Sequence, residues 1–318
     1  MNVIEYMKNV WRKKMKELLD KALLYARPHI TEGNVATYIP ELAFADPTDL
    51  GVAIMEEGGN VIGVGDFEKR FTMQSVVKPL ILLAALIDNG MERVRSLVGV
   101  ESTGKPFDSF NYSDLALTGD HINPMINTGA IALCSLIAGD SCQDKLEHLL
   151  ALARSICNDP TLEVNEKVYR SESMTGHKNR ALAYLLKAYG LIEMDAEAIV
   201  DLYFRACSIT ASAKDLAAMG YVFAHHGVDH LGNRLFPASY ARYVNAMLSI
   251  CGMYDASGEF ALNVGIPAKS GVAGGIMALV PGGIGIGVYS PALDRKGNSV
   301  AGLKVLEYLS AELDLSIF

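Results

Sequence analysis

The chain has 318 residues, half of them apolar and 20% charged, with a formal net charge of −8. That composition excludes a disordered or fibrous chain, and the acidic balance argues against a nucleic-acid footprint, which needs clustered Lys and Arg. The longest apolar run, residues 79–87, is too short to span a bilayer.

The length suits one large domain or two intimately packed ones. The first residues lack the continuous apolar core of a secretion signal. Five cysteines, Cys134, Cys142, Cys157, Cys207 and Cys251, are odd in number and unpaired by spacing, so reduced thiols in a cytoplasmic protein are expected.

In chain order, residues 4–27 carry Val10, Met15, Leu18, Leu19, Ala22 and Leu23 near the helical period, and Arg27-Pro28 ends the helix. Its basic patch, Trp11 to Lys16, reads as a solvated face. Residues 33–46 are a loop bearing Tyr38. Two short apolar runs, 50–55 and 61–64, flank a Gly-rich turn and predict a β-hairpin, and Phe71 and Thr72 close a third strand. The apolar run that follows Ser75 and Lys78 predicts a buried helix. Apolar residues three and four apart predict further helices at 130–137, 143–156, 179–188, 196–208, 211–225 and 238–250. Strands are expected at 262–266, 275–280 and 283–289, and a closing helix at 299–313. This order predicts an α+β fold. An antiparallel sheet is built from N- and C-terminal strands and flanked by helices, with a mainly helical middle lobe. One domain over residues 1–318 is expected, with an α/β lobe at 1–75 and 255–318 and a helical lobe at 76–254.

Ser75-Val76-Val77-Lys78 carries the most chemistry. Residues three apart on a helix share a face, so the Lys78 amine would hang beside the Ser75 hydroxyl. A serine needs something to take its proton, and an adjacent neutral amine can do so. The start of the helix adds unpaired N–H groups that suit an oxyanion. Downstream, Lys269-Ser270-Gly271 is close to the Lys-Thr-Gly that accompanies Ser-x-x-Lys in β-lactamases and penicillin-binding proteins.

Other segments allow two readings each. Asn127 and Asn179 suit N-caps or ligand-binding amides. Glu172 and Asn179 are seven apart and would share a helix face unless Gly176 interrupts it. Tyr203 lies on an amphipathic stretch where aromatics are usually core, whereas Tyr254 is on a loop. His225, His226 and His230 lack the Glu of a zinc-peptidase helix, and no metal or cofactor is expected. The glycines of residues 282–287 alternate in an apolar strand, which fits close helix packing better than a dinucleotide loop.

Together these segments resemble the serine-dependent glutaminase family, whose catalytic domain is similar to β-lactamases and penicillin-binding proteins. The resemblance rests on Gln74-Ser75-Val76-Val77-Lys78, Asn123-Pro124-Met125-Ile126-Asn127-Thr128-Gly129-Ala130, Ser171-Glu172 with Asn179, Tyr203-Phe204-x-x-Cys207-Ser208-Ile209, Met253-Tyr254-Asp255 and Pro267 to Gly275. Thr128 stands for the usual Ala, Val76-Val77 and Pro79 for smaller or polar residues, and Lys178 for a frequent Arg. The resemblance implies that Tyr38, Ser75, Asn127, Glu172, Asn179, Tyr203, Tyr254 and Val272 line a site for L-glutamine. It also implies that the assembly is a homodimer or homotetramer.

The expected reaction is hydrolysis of glutamine to glutamate and ammonia through a γ-glutamyl ester on Ser75, with Lys78, Tyr254 or both as general base and acid and Lys269 as a supporting cation. Backbone N–H groups of Ser75 and Val272 form the expected oxyanion hole. Glu172 is suited to the substrate ammonium. The alternatives are a cytoplasmic β-lactamase-like hydrolase and a non-catalytic amino-acid binding protein.

Overall fold

The computed structural model of the chain describes residues 3–102 and 122–318. The strands are β1 (Gly51–Met55), β2 (Val61–Gly65), β3 (Phe71–Thr72), β4 (Thr210–Ala211), β5 (Ala268–Ser270), β6 (Gly275–Leu279) and β7 (Gly285–Tyr289). The helices are α1 (Val3–Ala26), α2 (Lys78–Arg95), α3 (Asn127–Cys134), α4 (Cys142–Cys157), α5 (Glu166–Thr175), α6 (His177–Ala188), α7 (Ala196–Cys207), α8 (Ala213–Ala224), α9 (Ala238–Cys251), α10 (Ser257–Asn263) and α11 (Val300–Leu313). The fold is α+β, as expected: an antiparallel sheet in the order β2-β1-β7-β6-β5, drawn from both ends of the chain, with helices around it. No helix among the described residues is long and apolar enough to cross a membrane.

Side-chain alternation along the strands divides the core in two. Val52 and Ile54 of β1, Ile276 and Ala278 of β6, and Ile286 and Val288 of β7 pack with Leu19 of α1 and Leu306 of α11. The intervening Ala53, Met55, Met277, Leu279 and Tyr289 face the other way, into the core that holds α2, α7 and α8. On that second face the alternating glycines act as anticipated. A Cβ on Gly287 would stand 1.9 Å from the Ala213 carbonyl oxygen, and one on Gly285 would stand 2.0 Å from that of Ala217. The bare strand therefore lets the α8 backbone rest directly on the sheet. His225, at the end of α8, stacks on Tyr221 and lies 2.7 Å from the Gly283 carbonyl oxygen through Nε2, which gives it a structural partner.

Two sequence expectations change, and a third point, left open in the sequence, is settled. The strand placed at 262–266 is the end of α10 and the turn after it; the strand begins at Ala268. The short apolar segment fitted either element, and the sheet edge is instead occupied by Ala268–Ser270 paired to β6. Phe71–Thr72 is a strand, but it pairs with β4 in a separate two-stranded ribbon rather than with the main sheet. Glu172 and Asn179 lie on two helices, because the chain breaks at Gly176. A Cβ there would meet the Phe204 ring at 2.3 Å, so close packing against α7 requires glycine.

Helix α2 continues directly from the turn that holds Ser75. It is apolar all round and buried from Lys78 to Leu86, the pattern of a helix inside a core. Pro79 sits where its missing N–H costs nothing. Burying Leu80, Ile81, Leu82, Leu83 and Leu86 stabilises the fold by on the order of 10 kcal/mol. That is more than the several kcal/mol that an enclosed lysine costs, so Lys78 is carried into the interior by its neighbours.

Candidate active site

Ser75 lies in a 3-10 turn, Gln74–Val77, which runs without interruption into α2 at Lys78. The turn is held from two sides. Met73 donates its N–H to the Ile209 carbonyl at 2.8 Å, beside the β3–β4 ribbon. Gly271, just past β5, presses so close that a Cβ would stand 2.6 Å from the Met73 carbonyl oxygen. Gln74 has φ +48° and Tyr254 has φ +56°, a left-handed region that non-glycine residues enter at a cost and that concentrates at functional sites. The hydroxyl of Tyr254 faces that of Ser75.

Lys78 is fully buried. Its Nζ donates to the Asn127 Oδ1 at 2.7 Å and to the Met125 carbonyl at 3.2 Å. Burial lowers its proton affinity to a pKa of about 8, against the opposing charges of Cys207 and Glu172. Asn127 opens α3 and is not an N-cap. Its Oδ1 also accepts from the Tyr203 hydroxyl at 3.2 Å, and its Nδ2 donates to the Asn179 Oδ1 at 2.9 Å. Tyr203 is thus buried as a core aromatic while its hydroxyl reaches the site, the usual arrangement for a buried tyrosine.

Glu172 is buried on α5, with its Oε2 lacking a hydrogen-bond partner among the described residues. Desolvation raises its pKa to about 8, a bond from Gln74 and the charge of Lys78 pulling the other way. Lys269, on β5, is also fully buried. It donates to the Gly252 and Ser270 carbonyls at 2.9 and 2.7 Å, and its Nζ sits 4.3 Å from the centre of the Tyr254 ring. Desolvation first, and then the charge of Lys78, push its pKa well down.

A cavity of about 490 Å³ opens beside Ser75, and Lys78, Lys269 and Tyr254 do not line it. Its walls include Tyr38, Ser75, Asn127, Glu172, Asn179 and Tyr203 from the sequence expectation. Gln74, Thr175, Gly176, His177, Lys178 and Cys207 complete it. Tyr38 is 56% exposed and stands at the rim. Val272 lines two neighbouring grooves rather than this cavity, and Tyr254 lies behind Ser75. Of the residues not singled out beforehand, Cys207 was legible as the residue one turn beyond Tyr203 on the same helix face. Gln74 was legible only as the neighbour of Ser75. Among the described residues no cluster of His, Cys, Asp or Glu has the arrangement of a metal site.

A cleft lined by a serine and by a buried carboxyl with one oxygen unpartnered, with a buried lysine of lowered basicity one turn beyond the serine, suits an enzyme that handles a small polar molecule. The glutaminase family model matches residues 33–318. The glutaminase of Clostridium tetani (strain Massachusetts / E88) is 48% identical over 305 residues, 96% of this chain and 100% of the relative. That of Clostridioides difficile (strain 630) is 49% identical over 302 residues, covering 95% and 98%. Among solved structures, the probable glutaminase ybaS superposes with a TM-score of 0.91 at 35% identity, over 96% of this chain and 98% of its own. The Bacillus subtilis glutaminase YbgJ, in covalent complex with 5-oxo-L-norleucine, gives 0.86 at 37% identity, over 94% and 98%. The chain belongs to the glutaminase family of enzymes.

Proposed function

We propose that the enzyme hydrolyses L-glutamine to L-glutamate and ammonia through an acyl-enzyme on Ser75. The observation that carries this reading is the buried Lys78, one turn after Ser75 and of lowered basicity, beside a cavity with ample room for an amino acid. Ser75 Oγ attacks the side-chain amide carbon while Lys78 or Tyr254 accepts its proton. Burial holds the Tyr254 phenol above its ordinary pKa, which favours Lys78 as the group that takes the first proton. The carbon–nitrogen bond breaks as that proton reaches the leaving nitrogen, and ammonia departs. Water then attacks the ester carbon while the base takes its proton, and that proton passes to the Ser75 oxygen as the ester bond breaks and glutamate is released. The N–H groups of Ser75 and Val272 are assigned to the oxyanion. Loss of one such donor elsewhere costs about 2.7–4 kcal/mol. Glu172, ionised, faces the substrate ammonium, and the amides of Asn127 and Asn179 with the Tyr38 and Tyr203 hydroxyls meet its other polar ends.

Two findings support the assignment from outside the chain. The Bacillus subtilis relative forms its covalent complex by reaction with 6-diazo-5-oxo-L-norleucine, and a further similar structure, Mglu, is of a glutamate form. The β-lactamase-like description of the fold and its reading as one catalytic domain of two lobes belong to the same proposal, as does assembly into a homodimer or homotetramer. A cytoplasmic setting fits five free thiols, four of them buried. The test is ammonia release from glutamine, asparagine and a β-lactam by wild type and Ser75→Ala. Glutamine alone should serve, and the variant should be folded and inactive. Turnover by Ser75→Ala would remove the acyl-enzyme.

A further inference from the structure

Asn127 has little bonding capacity left for a substrate. Its Oδ1 accepts from Lys78 Nζ at 2.7 Å and from the Tyr203 hydroxyl at 3.2 Å, and one of its two N–H groups is spent on Asn179 at 2.9 Å. An amide oxygen has two lone pairs and the amide nitrogen two hydrogens, so only one N–H remains to face the cavity. The orientation of the amide is fixed by chemistry, since an ammonium cannot accept a hydrogen bond and must meet the oxygen. The Asn127 oxygen and the Met125 carbonyl at 3.2 Å, to which Lys78 donates, are acceptors only. A neutral amine has two N–H bonds and one lone pair. If those two acceptors take both N–H bonds, the lone pair must lie on a corner turned away from them.

We infer that Asn127 is a positioning residue for the base: with the Met125 carbonyl it takes up the N–H bonds of Lys78 and turns the lone pair toward Ser75. The inference rests on the proposed role of Lys78 and adds that Asn127 works chiefly on kcat. The same geometry ties the base to the substrate pocket. By accepting from Asn127, the Asn179 Oδ1 leaves its own NH2 as the donor presented to an anionic ligand group.

The test compares the pH dependence of kcat and KM in wild type, Asn127→Asp and Asn127→Ser. The groups that bear on Lys78 are Glu172 on α5, Cys207 on α7 and Lys269 on β5, and both substitutions leave them in place. A carboxylate against the amine holds it protonated. Asn127→Asp should therefore move the acid limb of kcat upward by about one pH unit or more, lowering kcat about tenfold on that limb, with recovery at high pH. Asn127→Ser withdraws the 2.7 Å acceptor, so its acid limb should move down while kcat at the plateau falls. In both variants KM should stay within about threefold of wild type, because the substrate contact is one N–H at most.

The rate of covalent labelling by 6-diazo-5-oxo-L-norleucine, followed by intact mass against pH, should shift in the same directions without depending on turnover. Thermal melts establish that each variant is folded, and either folded variant decides the matter alone. A raised KM with an unmoved acid limb assigns Asn127 to substrate contact and overturns the inference. Ammonia release by Ser75→Ala would instead defeat the underlying mechanism, so the two failures are distinguishable.

Discussion

Replacing Glu172 by Gln should move stability and activity in opposite directions. The carboxyl is 5% exposed, and burial lifts its titration from the ordinary 4.5 to about 8. Between those pH values the folded protein holds a proton that the unfolded chain has released. The stability this group contributes is therefore fully present below about pH 4.5 and is lost as pH rises through about 8. One pH unit corresponds to about 1.4 kcal/mol, which puts the loss on the order of 2 to 5 kcal/mol. Gln keeps the size and can still meet Gln74 but never ionises. Urea denaturation at pH 5, 7 and 9 should show the variant close to wild type at pH 5 and progressively more stable toward pH 9. Turnover should fall by about 100-fold or more in kcat/KM, chiefly through KM, because the substrate ammonium loses a buried counter-charge worth about 3–5 kcal/mol. A stability difference that does not change with pH would refute the burial argument, and an unchanged kcat/KM would refute the ammonium assignment.

A base must be neutral to act, so the acid limb of the wild-type kcat profile should fall near pH 8, where Lys78 loses its proton; full activity at pH 6 would rule out Lys78 as that base. Gly287→Ala places a methyl 1.9 Å from the Ala213 carbonyl oxygen, so α8 must lift from the sheet; a loss of about 3 kcal/mol or more is expected by urea denaturation, and a change under about 0.5 kcal/mol would contradict the close approach. Lys269→Met removes the bonds to the Gly252 and Ser270 carbonyls and the amine packed over the Tyr254 ring. Its kcat should fall at least about tenfold with KM little changed, and steady-state kinetics showing no loss would leave Lys269 a purely structural residue.

Much of the helical half was legible because amphipathic periodicity is local information. The expected helix at 238–250 is α9, 238–251, and that at 143–156 is α4, 142–157. The alternation of Gly285 and Gly287 was legible for the same reason, since a strand without side chains on one face announces a close neighbour. The misreadings, and the point left open, arose where tertiary packing decides. The break at Gly176 was one of the two readings left open for Glu172 and Asn179, but nothing near it in sequence reveals the Phe204 ring that decides between them. The partner of Phe71–Thr72 lies about 140 residues away at Thr210–Ala211. At the site, Ser75 and Lys78 could be paired by helix geometry alone, whereas the bonds converging on Asn127 join α2, α3, α6 and α7 and exist only in the folded chain. Val272 was expected in the glutamine site and lines the adjoining grooves; its proposed contribution is a backbone N–H, which needs no side chain in the cavity.

The central claim is that the Ser75 oxygen is the nucleophile of the reaction. It is tested most directly by treating the enzyme with 6-diazo-5-oxo-L-norleucine, measuring the intact mass and mapping the modified peptide. The account predicts one adduct per chain, on Ser75, formed faster as pH rises through about 8 and prevented by glutamate. An adduct on another residue, or an active enzyme that never acquires one, would contradict it.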